Sequence, residues 1–360
     1  MSALRCPRSG RVHHQAHRGC NREYGGARIG HPNSWAPVHQ EYIFAAETAL
    51  RLRSDNNQDS ATRGLYVAIR RLAALILYTL TGCAVTVFVV YQYSLRVEPK
   101  WVETVSVSVP IRGLPGDLVG FKLALLADIH FRNEDDLDYV RRVMSKTNAL
   151  EPDLIVIAGD HISVKDYGEP GEAAIELLST LSELRSPHGT YAVLGNHDRA
   201  FLHLSVVKRG LKAAGVNLLV NDGVSLRIGE GTLYLAGVDD AFSGAPDLEE
   251  ALRSAPPNST VVLVSHEPDP AEHYSYDRRI KLQLSGHTHG GQVRFPVVGA
   301  LVLPPLGTKY VWGLFRVGTM WLYVTRGIGV TGPPFGPFVR FNARPEITLI
   351  TLAKEVASTL

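Results

Sequence analysis

Hydrophobic and polar positions follow two different periods over the C-terminal part of the chain. Val105, Val107 and Val109 alternate with serine, which is the period of a half-buried β-strand. From Phe121 onwards, short apolar runs typical of buried strands occur at 122–127, 154–158, 190–194, 233–236, 261–265, 282–285, 321–325 and 347–352. Amphipathic stretches with a helical period separate the early runs, at 137–150, 172–184 and 202–214. The alternation predicts an α/β domain with partly parallel strands, and the later excess of strand and loop argues against a purely doubly wound sheet.

A different pattern occupies residues 72–93, twenty-two residues without a charged side chain. Because a helix needs about 20 apolar residues to cross a membrane, we expect a membrane anchor at residues 63–95, followed by a linker and first strand at residues 96–120. A buried core helix is one alternative. A cleaved signal is another, because Leu80-Thr81-Gly82-Cys83 resembles a lipoprotein processing box and Arg70-Arg71 a twin-arginine signal. The apolar run continues past Cys83, which favours an uncleaved, single-pass anchor.

The N-terminal tail, residues 1–62, lacks a sustained apolar period and is rich in Arg, His, Gly and Asn. This composition predicts a disordered basic tail. An alternative hypothesis is that the tail is not translated and that the protein begins near the basic stretch 67–71. Arg63, Arg70 and Arg71 precede the apolar segment, so the positive-inside rule favours a cytoplasmic N-terminus and a domain outside the cytoplasm. The opposite orientation, with the domain on the cytoplasmic face, stays open.

Charge and cysteine content narrow the classes of function. Residues 1–71 carry eleven Arg against five acidic residues, a charge of +6, so the net charge of +2 leaves −4 for the remainder. A mildly acidic main body argues against a nucleic-acid partner, which would need clustered basic residues. All three cysteines lie before residue 84. A metal in the main body would therefore be bound by histidine and carboxylate rather than by thiolate.

Polar residues with metal-binding side chains follow five of the predicted strands, most of them next to glycine. They are Asp128 and His130, Asp160, the run Asn196, His197 and Asp198, His266, and His287 and His289. Carboxylate and imidazole without thiolate suit Mn²⁺, Fe or Zn²⁺, and seven oxygen and nitrogen ligands suit two metals about 3.5–4 Å apart. We expect the pairs Asp128/His130 and His287/His289 to lie on extended segments, which project alternate side chains the same way. The glycines are expected to let the backbone pass close to a charged substrate.

These five blocks, D-x-H, G-D, G-N-H-D, a strand-terminal His and G-H-T-H-G-G, resemble the calcineurin-like metallophosphoesterase superfamily. They occur in the family order within about residues 100–353. The stretches 307–310, 326–329 and 344–347 resemble its bacterial membrane-associated phosphodiesterase branch. The resemblance implies an α/β fold, a four-layer sandwich of two mixed β-sheets flanked by helices, over residues 121–353, with one N-terminal transmembrane helix ahead of it.

The resemblance also implies a role for each site residue. Asp128, His130 and His289 would bind one divalent metal, Asn196, His266 and His287 the second, and Asp160 would bridge them. His197 takes the position of the histidine that approaches the leaving group, and Asp198 would be the partner of its imidazole. Two features depart from the family pattern: His161 follows the G-D block, and the loop 331–340 is longer than expected. We expect His161 to support the site rather than to be an additional ligand.

The function implied is that of a binuclear metal-dependent phosphoesterase, acting on a phosphodiester or a phosphomonoester at the membrane or cell envelope. One alternative is a pyrophosphatase of a lipid-linked nucleotide such as UDP-diacylglucosamine. Another is a non-catalytic scaffold, which would typically have lost ligands that this chain retains. The sequence leaves open the substrate, the choice among Mn, Fe and Zn, and the oligomeric state.

Overall fold

The computed structural model describes residues 38–132, 136–163, 172–199, 203–332 and 337–355. These residues form two units that divide between Thr79 and Leu80. The α-helices are α1 Val38–Arg96, α2 Leu137–Asn148, α3 Glu172–Ser179, α4 Asn196–Arg199, α5 His203–Ala213, α6 Leu248–Ala251 and α7 Ala271–Tyr274. The first strands are β1 Glu103–Ile111, β2 Lys122–Leu126, β3 Leu154–Ala158, β4 Thr190–Val193, β5 Asn217–Leu218, β6 Asp222–Ile228 and β7 Gly231–Gly237. The later strands are β8 Thr260–Val264, β9 Ile280–Ser285, β10 Arg294–Phe295, β11 Gly299–Ala300, β12 Gly313–Val317, β13 Met320–Val324 and β14 Glu346–Lys354.

Two six-stranded mixed sheets form the centre of the second unit. The first has the order β1-β14-β2-β3-β4-β5, in which only the β14–β2 pair is antiparallel. The second has the order β12-β13-β9-β8-β7-β6, in which the first and last pairs are antiparallel. The strands β2, β3 and β4 are parallel, as are β7, β8, β9 and β13, so each sheet collects several carboxyl ends at one edge.

The sheets pack face to face, and helices cover their outer faces. Leu125 and Val156 of the first sheet meet Val262 and Leu284 of the second in a common core. The next residue of β2, Leu126, points to the other face and belongs to a core formed with α2, α3 and α5. A third core joins the second sheet to α6 and α7. Because side chains alternate between the faces of a strand, each sheet is buried on both sides, and the prediction of a four-layer α/β sandwich is confirmed.

The strand and helix pattern of the sequence is confirmed with boundary shifts of at most two residues, except at the end of the segment 172–184. All eight predicted apolar runs form strands, and the alternating valines lie in β1 with Val105 and Val107 half-buried. The segment 172–184 is helical up to Ser179 and continues as a 3₁₀ turn. The sequence missed β6 and β12, the outermost strands of the second sheet, because their half-buried positions produce no continuous apolar run. It also missed the two-residue strands β5, β10 and β11.

Helix α1 contains a segment long and apolar enough to cross a membrane, and no residue of that window is buried in the described structure. The helix begins at Val38, whereas the sequence predicts a disordered tail through residue 62. Residues 41–53 are rich in Ala, Glu, Leu and Arg, which have high helix propensity, and extending a helix that has already formed needs no new nucleation. The prediction for residues 1–37 lies outside the described residues.

Candidate metal centre

The loops after β2, β3, β4, β8 and β9 bring the predicted site residues to one place. Asp128 and His130 follow β2, Asp160 follows β3, and Asn196 opens α4 after β4. The second sheet contributes His266 after β8, and His287 and His289 after β9. The site therefore lies where the carboxyl edges of the two facing sheets meet, which is where ligands of α/β folds collect.

Asp128, His130 and His289 form a first cluster, with ligand atoms within 4.8 Å of one another. The Nε2 atoms of His130 and His289 are 3.0 Å apart. Nε2 of His289 lies 3.6 Å from Oδ1 of Asp128. All three side chains are buried, so their polar atoms face one another rather than water.

Asp160, His266 and His287 form a second buried cluster, with the same spread of ligand atoms. Nε2 of His266 lies 3.2 Å from Oδ2 of Asp160 and 3.2 Å from Nδ1 of His287. The same Asp160 oxygen lies 3.6 Å from Nε2 of His130, which belongs to the first cluster. The Asp160 carboxylate thus lies between the two groups.

The donor set of the second cluster fits a cation. Nδ1 of His266 donates to the carbonyl of Ala158 at 2.7 Å, and Nε2 of His287 donates to the carbonyl of Pro305 at 2.8 Å. The remaining ring nitrogens, which face each other at 3.2 Å, are therefore both lone-pair donors in the neutral imidazoles. The buried Oδ1 of Asn196 has no hydrogen-bond partner among the described residues. Such an arrangement needs a positive charge, which a proton on His266 or a metal ion supplies.

Backbone geometry is strained at most of the predicted ligands. Five of the seven have φ between 49° and 72°, a region that non-glycine residues rarely adopt: Asp128, His130, Asp160, His287 and His289. The expectation that the pairs Asp128/His130 and His287/His289 lie on extended segments is therefore wrong. The chain turns sharply as it leaves β2, β3 and β9, and strain of this kind is typical of functional sites.

The glycines of the motifs make room for the ligand side chains. A Cβ atom at Gly286 would lie 2.5 Å from Oδ2 of Asp128, and one at Gly195 would overlap the carboxylate of Asp160. We expected these glycines to admit a charged substrate to the backbone. The structure assigns them instead to the close packing of one motif loop against the carboxylate of another.

Burial and mutual repulsion keep the first cluster free of positive charge. Burial, together with the nearby Asp160 carboxylate, raises the pKa of Asp128 to about 7, although His266 acts in the opposite direction. Burial also holds the pKa of His289 well below its usual range, and His130 and the Arg340 guanidinium, 3.1 Å from Nδ1 of His289, act in the same direction. The pKa of His130 is likewise well below its usual range, because the group is buried and faces His197.

In the second cluster, by contrast, one histidine is favoured in its charged form. Burial alone would lower the pKa of His266, but the Asp160 carboxylate overrides it and raises that pKa well above the usual value. The same pairing holds the pKa of Asp160 well below its usual value in spite of burial. Burial and the neighbouring His266 lower the pKa of His287 to about 4. The Asp160 carboxylate therefore favours a positive charge at this position of the second cluster.

His197 and Asp198 lie on the same turn but face different neighbours. His197 is half-buried, lines the cavity, contacts the ring of His130 edge-on at 4.7 Å, and donates its backbone N–H to Asp160 at 2.9 Å. Asp198 is buried and accepts from the ring Nδ1 of His161 at 2.8 Å and from the backbone N–H of Gly195 at 3.0 Å. The partner of Asp198 is therefore His161, rather than the His197 imidazole that the sequence suggested.

Two features of the site are missed by sequence reasoning. Arg340 is fully buried and donates to the carbonyls of Gly329, Ala343 and Arg326 beside its contact with His289. Nothing in the sequence distinguishes it from the other arginines. The second is an apolar wall of the cavity formed by residues 301–305. It could have been found, because residues 295–306 are twelve consecutive residues without a polar side chain.

Comparison with known proteins identifies the family. The family model for calcineurin-like phosphoesterases matches residues 121–291. The uncharacterised metallophosphoesterase YkuE of Bacillus subtilis is 35% identical over 263 residues, which cover 73% of this chain and 89% of that protein. Phosphodiesterase YaeI of Escherichia coli is 31% identical over 269 residues, covering 73% and 92%. A Bos taurus transmembrane protein with metallophosphoesterase domain is 35% identical over 270 residues, covering 69% and 56%.

The four-layer sandwich and the His, Asp and Asn side chains at its edge define a class, the metal-dependent hydrolases of α/β fold. The chain belongs to the calcineurin-like phosphoesterase family and is a metal-dependent phosphoric ester hydrolase. The family resemblance of the sequence motifs is thereby confirmed. Members of this family generally use a binuclear divalent metal centre, and the two clusters are candidates for it.

Proposed function

We propose that the protein hydrolyses phosphoester bonds with two divalent metal ions at the surface of a membrane. The observation that carries this proposal is the position of Asp160 between two clusters of buried ligands. Asp128, His130 and His289 would bind one ion, and Asn196, His266 and His287 would bind the other. Asp160 would bridge the two ions. A scaffold without activity would not need this complete set.

Different residues of the chain would have different roles in hydrolysis. Two bound metals would supply charge neutralisation for the phosphate and an activated water. Asp160, whose Oδ1 also accepts the backbone N–H of His197, fixes the position of that residue relative to both clusters. The His197 imidazole lines the cavity and would donate a proton to the leaving oxygen of the substrate.

The membrane location rests on helix α1 and its flanks. Its apolar window suits a single membrane crossing by length and composition. The three arginines ahead of the apolar segment favour a cytoplasmic N-terminus and hence an extracytoplasmic catalytic domain. One relative, in Bos taurus, carries the name of a transmembrane protein, which supports a membrane role for this branch.

The ligand assignment is tested with metal content and activity measured on the same full-length samples in detergent. A panel of a phosphodiester, a phosphomonoester and a pyrophosphate is assayed with Mn²⁺, Fe²⁺ and Zn²⁺. Asp160→Asn is expected to lose metal from both sites together with activity, because a bridging carboxylate serves both ions, whereas His289→Ala retains more of the second metal. The matched control Asp117→Asn changes an exposed carboxylate between β1 and β2 and keeps both.

Near-normal metal content and turnover in Asp160→Asn would contradict the bimetallic assignment. If the protein cleaves the pyrophosphate and neither of the other two substrates, it is not a phosphodiesterase or a phosphomonoesterase. That result would favour the alternative function, a pyrophosphatase of a lipid-linked nucleotide.

A further inference from the structure

An exposed apolar hairpin lies beside the metal centre. The short strands β10 and β11 pair Phe295 with Gly299 around the turn 296–298. Val297 is fully exposed, Val298 is 70% exposed and Val302 is 80% exposed. Contiguous exposed apolar side chains are uncommon on soluble surfaces and mark sites that bind a protein or a membrane.

The tip of this hairpin also carries backbone strain. Val297 has φ of 70°, and a β-branched residue in the left-handed region is a genuine outlier. The strain directs its side chain away from the domain instead of burying it. Both the strain and the exposure are unfavourable in water, so a functional role for the tip is the physical explanation that fits them.

The hairpin is continuous with the site. A Cβ atom at Gly291, in the G-H-T-H-G-G motif, would overlap Ala300 of the hairpin, and the carbonyl of Pro305 accepts from His287. Beyond the hairpin, apolar residues form one wall of a cavity of about 700 Å³ whose floor holds Asp160 and His197. This is the apolar wall of residues 301–305, and Val293 and Val339 lie beside it.

The hairpin is also continuous with the end of the apolar helix. The carbonyl of Ser94 in α1 accepts from the backbone N–H of Arg340 at 3.0 Å, and the buried carboxylate of Glu98 accepts from Ala343 at 2.6 Å. Between them, Phe341 accepts from the backbone N–H of Arg294 at 2.9 Å, and its ring packs on Phe295 at 5.7 Å. The segment 340–343 thus joins the point where α1 leaves its apolar segment to the base of the hairpin.

We propose that the apolar hairpin, residues 295–302, inserts into the lipid bilayer and that the cavity takes a phosphoester whose organic part is a lipid. The bilayer is the occupant that the contacts favour, because the helix that would cross it ends at the base of the hairpin. If the phosphate of a lipid lies at the two ligand clusters, the apolar part of that lipid would contact the apolar wall of the cavity. The substrate class rests on the proposed phosphoesterase function, whereas the insertion of the hairpin does not.

Insertion is tested in full-length protein reconstituted into phosphatidylcholine–phosphatidylglycerol vesicles. Cys6, Cys20 and Cys83 are replaced by serine, and an environment-sensitive fluorophore is attached at Val298→Cys. Lipids carrying a spin label in the acyl chain should quench this fluorophore at least about twofold more than one at Val119→Cys, since burying apolar side chains in lipid is favourable. Val119 is a matched exposed residue just before β2, at the opposite edge of the sheet.

Equal quenching at the two positions would overturn the insertion. A fluorophore at position 298 that is shielded from water but not quenched by lipid would also overturn it, and would assign the hairpin to a second copy or another protein.

The substrate class is tested with the variant Val297→Ser/Val298→Ser, whose changed side chains are exposed and lie outside the residues that line the cavity. Turnover of phosphatidylglycerol and phosphatidic acid in vesicles should fall by about tenfold or more, because the apolar contact with lipid is lost. Turnover of the soluble diester bis(4-nitrophenyl) phosphate should stay within about twofold, because the metal centre is untouched.

Equal losses on lipid and soluble substrates, or no turnover of either lipid by a wild-type protein that cleaves the soluble diester, would overturn the lipid assignment. A wild-type protein loaded with metal that cleaves neither class would instead contradict the phosphoesterase function, and the fluorescence experiment would still decide the insertion.

Discussion

At the scale of single residues, the backbone orients most of the candidate ligands. His266 and His287 donate to the carbonyls of Ala158 and Pro305, and Asp128 accepts the backbone N–H of His287 at 3.0 Å. Hydrogen bonds on the second ring nitrogen set which nitrogen of a histidine faces the metal. Hydrogen bonds to the chain itself therefore orient these three side chains, and their substitution is expected to act locally.

His197 provides the sharpest residue-level prediction. If it donates a proton to the leaving oxygen, His197→Ala should reduce the turnover of alkyl phosphoesters by about 10²–10⁴-fold, the usual contribution of general acid catalysis. Aryl esters with activated leaving groups need little protonation and should lose much less. Steady-state rates on the two ester types, with metal content measured in parallel, check this expectation.

The same experiment identifies the alternatives for His197. An equal loss on alkyl and aryl esters with both metals retained would contradict a role as general acid. Its imidazole also lies within 4.8 Å of ligand atoms of His130 and Asp160, so a loss of metal in His197→Ala would make it a ligand instead.

At the scale of elements, the loops that follow the strands pack directly against one another at the site. The side chain of Asp128 is enclosed by Gly286 and Gly327, where an added Cβ would lie 2.5–2.6 Å from its nearest atom. An added Cβ at Gly195 would likewise overlap the carboxylate of Asp160. The loops of the two sheets therefore fix each other, and the position of a ligand depends on a residue of a different motif.

Gly286→Ala tests this dependence. The added methyl would displace the Asp128 carboxylate, so metal binding to the first cluster should weaken by about tenfold or more, the range seen when the support of a ligand is lost. The control Gly116→Ala adds the same atom where no heavy atom lies within 4 Å. Titration of both variants with Mn²⁺ measures the difference. Equal affinities would contradict the assigned role of the loop packing.

The sequence predicts the strands, and it names residues that the structure brings together at one place, because both leave local signals. Each buried strand is a continuous apolar run, and each candidate ligand lies within four residues of the end of such a run, as Asp160 does after β3. The backbone turns at Asp128 and His130 could not be predicted, because positive φ at a non-glycine residue is imposed by packing of the whole loop. The partner of Asp198 could not be predicted either, since its contact with His161 crosses 37 positions of the chain.

At the scale of the whole molecule, a buried polar network joins the outer strands of the first sheet to the site. Arg326 donates to Glu346 at 2.6 Å and to Glu103 at 2.9 Å, and Tyr323 and Trp312 also donate to Glu346. Glu103 and Glu346 begin β1 and β14, so this network ties the residues that follow α1 to the loop behind the first metal cluster. The stretches 326–329 and 344–347, noted in the sequence, are therefore structural.

The orientation of the protein in the membrane is predicted from the charges that flank the apolar segment. With the catalytic domain outside the cytoplasm, a single cysteine at Tyr276, which is 84% exposed, should react with a membrane-impermeant maleimide in intact spheroplasts. The three native cysteines are replaced by serine in this experiment. Labelling that requires lysis of the spheroplasts would contradict this orientation and place the domain on the cytoplasmic face.

The central claim, two metals that share Asp160, is tested most directly by anomalous diffraction from crystals of the Mn²⁺-loaded protein. The expected map has two peaks about 3.5–4 Å apart, one on either side of the Asp160 carboxylate. One peak should contact Asp128, His130 and His289, and the other Asn196, His266 and His287. A single peak, or a second peak that Asp160 does not contact, would contradict the account.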